Sequence, residues 1–434
     1  MKLPFLPPEL KLLVARNLSE IDEDASLQCL SFVSREWRFP AQAFLLRRIF
    51  IPIIRMHSVQ DELFHSNSSL APHINEVHIY GRRSVKIRFR IDVADLVELT
   101  TLLPNLRYLA LYGCLQVTAG AQAAAQQRRR FNLALTSAII DGTSLITLLH
   151  QFCGGSELLL NYFALGTADN GLDSNTAVAD LHPKHFQSVK RLYLGIPWGF
   201  RLHNELIRHL PSTLTSLGII LDPIFSKSDP RLEKLLKVQA THVVDLQIDI
   251  TDQNIFPQTL EEYIGEHISV TDHGFGVLPS SWRACSLLHC CPSLRALTIA
   301  ITVVNEKSTE HPLSSTILHW RYALQWVASA PQTLRTVRIG LNFNTESVYL
   351  SEVSFKSSTM DFVDWGTWDT VLSGFKQLEE VVFFRMDPPG GKWHCYEPMQ
   401  SRKRIPNWFR EEMREVVGNR LSEARWKLVR FICY

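Results

Sequence analysis

Long apolar runs are missing from this chain of 434 residues. The longest, Leu297 to Val304, falls far short of the roughly 20 residues a membrane-crossing helix needs, so no membrane partner is expected. Pro4, Pro7 and Pro8 interrupt the N-terminal stretch and argue against a secretory signal. Cysteine is sparse: eight residues, with none of the spacing of a disulfide framework. Reduced thiols in a cytoplasmic or nuclear protein are the simpler expectation. Charge of one sign is also lacking. Lys and Arg total 45 against 43 Asp and Glu, a net charge of +2, which argues against a nucleic-acid-binding surface spread over the molecule. The short basic runs Arg128–Arg130 and Arg402–Arg404 are read as solvated faces or loops.

Catalytic signatures are equally scarce. No GxSxG elbow, Walker loop, GxGxxG or HExxH occurs, so no catalytic residues are assigned and the chain is not expected to be an enzyme. Thr271–Gly276 (TDHGFG) reads as a tight turn rather than a phosphate loop, since no Lys-Ser/Thr follows. Cys285, His289, Cys290 and Cys291 cluster in ACSLLHCCPSL, with His394 and Cys395 adjoining later. A zinc site needs four ligands at tetrahedral spacing. The cluster instead falls on a short helix ending at Pro292, where small buried thiols suit a core-facing side. No metal and no cofactor are expected.

What is present is a folded composition, 46% hydrophobic and 20% charged, over a length that suits two to three domains. The first fifty residues hold three short helical patterns. Leu10, Leu13, Val14 and Leu18 make one apolar stripe behind Pro7 and Pro8, which suit a helix start. Asp22 or Asp24 can cap a second helix carrying Leu27, Leu30 and Val33. Ser34 can cap a third containing Trp37, with Pro40 bending or restarting it. Three such helices bury too little to stand alone and need a partner surface or the rest of the chain.

The residues Leu6, Pro7, Pro8, Glu9, Leu10, Val14, Leu18, Leu27, Cys29, Val33, Ser34, Arg35 and Trp37 resemble the F-box. The resemblance covers about residues 1–50. Lys11 and Leu12 depart from it, standing where the family often has a second Leu or a bulky apolar pair. The resemblance implies docking onto the Skp-type adaptor of a cullin–RING (SCF) ubiquitin ligase, an apolar patch laid into an apolar groove. The adaptor-binding residues it implies are Leu6, Pro7, Pro8, Leu10, Val14, Leu18, Leu27, Val33 and Trp37. The alternative is that the hairpin merely caps the following domain.

A second pattern, h-x-x-h-x-h with h apolar, fills most of the rest. It reads Ile74/Val77/Ile79, Leu106/Leu109/Leu111, Leu135/Ala138/Ile140, Leu160/Phe163/Leu165, Val189/Leu192/Leu194, Leu214/Leu217/Ile219 and Val243/Leu246/Ile248. It continues more widely spaced as Leu294/Leu297/Ile299, Leu334/Val337/Ile339 and Leu378/Val381/Phe383. The first seven starts lie roughly 25 to 32 residues apart, a leucine-rich-repeat length. Phrases such as LPNLRYLAL and CPSLRALTI run from a Pro that ends a helix into the alternation of a short strand. Helical patterns intervene at Ile91–Leu103, Ala119–Arg130, Gly142–Phe152, His203–Leu210 and Ser314–Ala330, and a last amphipathic one at Trp408–Arg420. Polar insertions interrupt the period near Thr251–Pro279, Asn305–Pro312 and Asn344–Met360, and Asp387–Arg404 reads as a loop.

The expected fold is therefore α/β: an N-terminal three-helix F-box (1–50), a connecting strand and helix (51–70), and an irregular leucine-rich-repeat solenoid, a horseshoe, with a C-terminal helix (71–434). A doubly wound domain with unrelated strands is the alternative. The combination resembles the F-box protein sets of fungi, particularly mushroom-forming ones. In a leucine-rich solenoid, strand residues between the apolar positions share the concave face. That would present His78, Tyr80, Tyr108, Tyr112, Tyr162, Arg191, Tyr193, Asp245, Gln247, Asp249 and Arg338 to a target protein, Tyr and Arg being common binding hot spots. Taken together, the resemblances imply a substrate receptor that meets the adaptor, and through it the cullin, at one end and an unknown target along the repeats. An interaction scaffold outside any ligase and an enzyme hidden in the insertions are the other readings.

Overall fold

The computed structural model describes residues 6–20, 24–61, 70–81, 89–118, 130–140, 142–152, 154–161, 164–165, 184, 186–195, 208–209, 211, 213–220, 235–237, 240–250, 286–304, 312–344, 363–386, 414, 417–418 and 420–433. The chain divides into two compact units, one mainly Met1–Thr213, the other mainly Leu214–Met399 with Lys403–Tyr434.

Three helices open the first unit: α1 (Pro8–Glu20), α2 (Asp24–Val33) and α3 (Arg35–Leu45). The Pro7 carbonyl accepts from the Leu10 and Lys11 amides, both at 3.1 Å, and Pro8 at the first helical position forfeits no bond there. Ser34 is extended between α2 and α3, and its carbonyl accepts from the Trp37 and Arg38 amides to begin α3. The sequence suggested that Pro40 would bend or restart this element. α3 does not restart there but runs through Pro40 as one helix, which packs on both α1 and α2 and buries Pro40 and Ala41.

The sheet of this unit is built from β1 (Arg48–Pro52), β2 (Glu76–Tyr80), β4 (Tyr108–Thr118), β5 (Asn132–Ile140), β6 (Glu157–Asn161) and β8 (Arg191–Leu194), paired in that order and all parallel. The short strands β3 (Phe89–Asp92) and β7 (Ala164–Leu165) add to β4 and β5. Helices α4 (Met56–Val59), α5 (Val93–Leu102) and α6 (Gly142–Phe152) lie between strands. Register carries the repeat: Val77, Leu109, Leu133, Leu158 and Leu192 are paired in one row, Ile79, Leu111, Leu135, Leu160 and Leu194 in the next, and all are buried. Each such side chain contributes about 1.5 to 3 kcal/mol of burial, which no single strand could realise without its neighbours.

The second unit repeats the scheme with β9 (Ser216–Ile220), β10 (Asp245–Asp249), β11 (Ala296–Val304), β12 (Thr336–Asn344), β13 (Glu380–Met386) and β14 (Val429–Cys433), again parallel and in chain order. Among the described residues its helices are α7 (Leu287–Cys290), α8 (Pro312–Ala328), α9 (Trp365–Ser373) and α10 (Glu423–Trp426). The apolar run Leu297–Val304 is thus a strand. Trp320 of α8 packs against Trp365 and Trp368 of α9 at 5.5 and 5.7 Å, and against Phe383 of β13 at 6.4 Å. The Asp364 side chain caps α9, accepting from the Thr367 amide at 3.0 Å and the Thr367 hydroxyl at 2.6 Å, and these bonds hold its carboxyl below the usual range.

Two backbone signatures recur in both units. The amide of the first apolar residue donates to a carbonyl three residues back: Ile74 to Ala71, Leu106 to Leu103, Val189 to Phe186, Val243 to Ala240, Leu294 to Cys291, Leu334 to Pro331 and Leu378 to Phe375. The residue ahead of a strand then offers its carbonyl to two successive amides of the next repeat. Arg47 accepts from Asn75 and Glu76, Asn75 from Arg107 and Tyr108, Ser156 from Lys190 and Arg191, and Arg295 from Arg335 and Thr336. Within each unit the strand order follows the chain without the reversal a doubly wound sheet requires. The architecture is α/β with strand-led units stacked in parallel, as the leucine-rich resemblance implies.

Several expectations need correction. The units read as Leu135/Ala138/Ile140 and Leu160/Phe163/Leu165 are out of phase: Leu133/Leu135 and Leu158/Leu160 hold the equivalent positions. The first apolar place is filled there by Arg130 and Gly155, so the phrase was incomplete in the sequence. Gly155 is required by close approach, since a Cβ would sit 2.2 Å from the Phe131 carbonyl oxygen. The strand expected in the connector is β1, which begins inside the range given to the F-box and pairs with β2. An unforeseen strand, β14, closes the second unit. α5, α6 and α8 match the helical patterns closely. The patterns at Ala119–Arg130, His203–Leu210 and Trp408–Arg420, the three insertions and Asp387–Arg404 lie wholly or largely outside the described residues.

Candidate functional site

The head of the first unit has its apolar residues on the outside. On α1 the inward positions are Lys11 and Ala15, four residues apart on one helix face, and both are buried. The Lys11 ammonium pairs with the Glu36 carboxylate and stands 5.9 Å from the centre of the Trp37 ring. A buried ammonium needs such a partner, because desolvation otherwise costs several kcal/mol. With Lys11 turned in, the stripe turns out: Leu10 is 46% exposed, Val14 39%, and Leu13 is exposed beside them. Phe32 (85%), Val33 (55%) and Phe39 (60%) extend the exposed apolar surface onto α2 and α3. So many large apolar side chains left exposed on three short helices suit an interaction surface.

The sequence-derived adaptor set divides accordingly. Pro7, Pro8, Leu10, Val14 and Val33 are exposed, while Leu6, Leu18 and Trp37 are half-buried. Leu27 is a correction: at 1% exposure it is a core residue of the head and unavailable to a partner. Phe32 and Phe39 were missed. Phe32 adjoins Val33 in the sequence, and Phe39 lies on the helix of Trp37 with its ring edge-on to His73 at 5.2 Å. The departure at Lys11 was visible, but its role as the inward residue was not.

The face shared by the strands is mixed. Tyr80, Tyr108, Tyr112, Asp245 and Arg338 are partly exposed and Arg191 is exposed. Tyr162 lies outside the described residues. His78, Tyr193, Gln247 and Asp249 are buried, contrary to the exposed placement expected. His78 is covered by aromatic neighbours: Phe50 stacks on it at 4.7 Å, with Tyr108 at 5.6 Å and Tyr112 at 6.2 Å. Tyr193 pairs in register with buried Leu159, and Asp249 sits between buried Ile220 and Ala300. Tyr80 and Tyr112 stack at 5.9 Å, and burial together with the Tyr80 neighbour pushes the Tyr112 phenol up to about 12. The second unit joins Arg338 to Asp245 at 4.0 Å and Arg430 to Glu380 at 3.2 Å.

The Glu76 carboxyl of this face is strongly perturbed. Burial raises it; His78 and Arg48 outweigh burial, Arg47 adds a further positive charge, and the group is held at about 2. The Arg48 contact at 2.6 Å carries most weight, since His78 Nε2 stands 3.9 Å away, beyond hydrogen-bond length. Cys290 and Cys291 are buried, while His289 of α7 is exposed. Cys291 fills the apolar position whose carbonyl closes the turn to Leu294. No group of three or more His, Cys, Asp or Glu able to hold a metal occurs among the described residues, and Cys285, His394 and Cys395 lie outside them.

No family model matches this chain, and no curated protein sequence does. Among solved structures it is similar to the crystal structure of the leucine-rich repeat-containing protein LegL7 from Legionella pneumophila, at 13% identity and a TM-score of 0.39, over 86% of this chain and 90% of that one. The repeat reading rests on the strand registers and the two backbone signatures, and takes no support from a likeness at that level.

Proposed function

We propose that the chain is a non-catalytic substrate receptor of a cullin–RING ubiquitin ligase. The head docks into an apolar groove of a Skp-type adaptor, and the stacked repeats hold a target protein. The chain contributes proximity between target and ubiquitin carrier and does no chemistry itself. A cytoplasmic or nuclear location goes with this reading.

The observation that carries it is the outward-facing set Leu10, Leu13, Val14, Phe32, Val33 and Phe39 on three helices whose interior is completed by Lys11, Ala15, Leu27 and Ala41. The order and spacing of the F-box-like residues in the sequence add to it. The test is a titration of purified Skp-type adaptor against the intact chain and against Val14→Asp/Val33→Asp. Both positions are exposed, so the variant should keep its melting temperature. The intact chain should bind, and the variant should lose at least about thirtyfold in affinity. If the intact chain fails to bind any adaptor tried, the ligase reading is lost. An interaction scaffold then takes its place.

A further inference from the structure

The place just ahead of each strand, whose carbonyl often links two repeats, is filled differently in the two units. In the first unit it reads Arg47, Asn75, Arg107, Phe131, Ser156 and Lys190, and the first strand position beside it reads Arg48, Glu76, Tyr108, Asn132, Glu157 and Arg191. These two rows hold five cations and two carboxylates, and exposed Arg130 adds a further cation behind Phe131. Both carboxylates are engaged within the rows: Glu76 with Arg48 at 2.6 Å, and Glu157 with Arg191 at 3.9 Å and with the Asn132 side chain, to which it also donates its amide at 3.1 Å. Arg47, Arg107 and Arg130 are exposed, and no carboxylate among the described residues comes within ion-pair distance of them. In the second unit the same rows hold Arg295, Arg335 and Lys427 against Asp245, Glu379 and Glu380; Arg335 pairs with Glu379 at 3.2 Å and Lys427 with Glu423 at 2.9 Å. The equivalent rim is cationic in one unit and self-neutralised in the other.

We propose that the strand entrances of the first unit bind an extended acidic segment of a partner protein. The guanidinium row stands on backbone that is fixed twice over, by the parallel register and by the paired amide bonds to Arg47 and Asn75, so little backbone ordering opposes binding and only side-chain entropy is lost. Arg is the side chain suited to it, being weakly hydrated and able to grip a carboxylate with two parallel bonds. Spacing sets the ligand. Arg47 and Arg107 are two strands apart, about 10 Å at the usual interstrand distance, which matches carboxylates three residues apart on an extended chain. The two guanidinium groups, about one screening length apart, repel each other, and the distant Glu76 charge that Arg47 also feels is already paired with Arg48. The rim starts at Arg47, two residues beyond the end of α3, and the inference does not depend on what the head binds.

The experiment uses the full chain and a fluorescent peptide of roughly a dozen residues with Glu at every third position and Ser and Gly between, read by anisotropy. Saturable binding is expected, weakened about tenfold or more by Arg47→Glu/Arg107→Glu and by a rise in salt from about 50 to about 300 mM, but unchanged by Arg295→Glu in the other unit. The milder Arg47→Gln/Arg107→Gln should weaken it less, which covers any folding fault in the charge reversal. No binding, or binding indifferent to both rim variants, overturns the proposal. A single-stranded oligonucleotide of similar length that binds more tightly than the peptide overturns it as well, in favour of a nucleic-acid partner.

Discussion

Helix α1 in the head and helices α8 and α9 in the second unit solve opposite problems with similar residues. α8 and α9 turn Trp320, Trp326, Trp365 and Trp368 inward, where rings meet at 5.5 to 5.7 Å and all four are buried. α1 turns Leu10, Leu13 and Val14 outward and seats Lys11 in their stead. The head does not lack apolar side chains for a core; it withholds them from one. Periodicity alone cannot reveal this, since an apolar stripe looks the same whether its own molecule or another covers it.

The largest expected effect lies on the inward side of that contrast. Trp368→Ala removes a ring packed on Trp320 and should cost about 3 to 5 kcal/mol in denaturant unfolding of the second unit. A loss under about 1 kcal/mol would show that the tryptophan cluster is not a core. Next comes the half-buried Arg48–Glu76 ion pair at the start of the first sheet. Because the Glu76 carboxyl is held at about 2 against an ordinary 4.5, its stabilisation is complete above about pH 5 and is lost as pH falls towards 2. Glu76→Gln should therefore cost about 2 to 3 kcal/mol at pH 7 and flatten that acid limb of the stability curve. An unchanged limb would remove the pair from the account. Gly155→Ala should cost about 1 to 3 kcal/mol by forcing the chain off the Phe131 carbonyl, and a neutral result would contradict the close approach.

How much of this was readable in the sequence varies by element, for physical reasons. Repeats whose first apolar place is occupied, from Val189 through Leu378, announced themselves because turn, core and strand each left a residue in the phrase. Those led by Arg130 and Gly155 were misphased because backbone contact replaces side-chain packing at Gly155, and a glycine carries no apolar mark. The end strands obey the same spacing, Leu46/Ile49/Ile51 and Trp426/Val429/Phe431: the first was expected only as a connector strand and placed too late, the last was unread, and Phe431 stacks on Phe383 at 5.9 Å. The strand face was only partly legible. Alternation finds which residues share a side but not which are roofed by neighbours, as Phe50 roofs His78. In the head, the helices and most exposed residues were foreseen. Leu27 was misplaced because its burial depends on how α2 packs, not on its spacing.

The smallest expected stability change falls at the outward side chains, where single substitutions should move unfolding by less than about 0.5 kcal/mol. There the direct measurement is chemical. In a Cys29→Ser background, which removes an exposed thiol, Val14→Cys, Val33→Cys and Ala15→Cys are each treated with a maleimide on the folded full chain and read site by site by mass spectrometry. Rapid labelling at positions 14 and 33 with protection at 15 is expected. Protection at all three would mean that the head is covered by its own molecule, and the receptor account would fail.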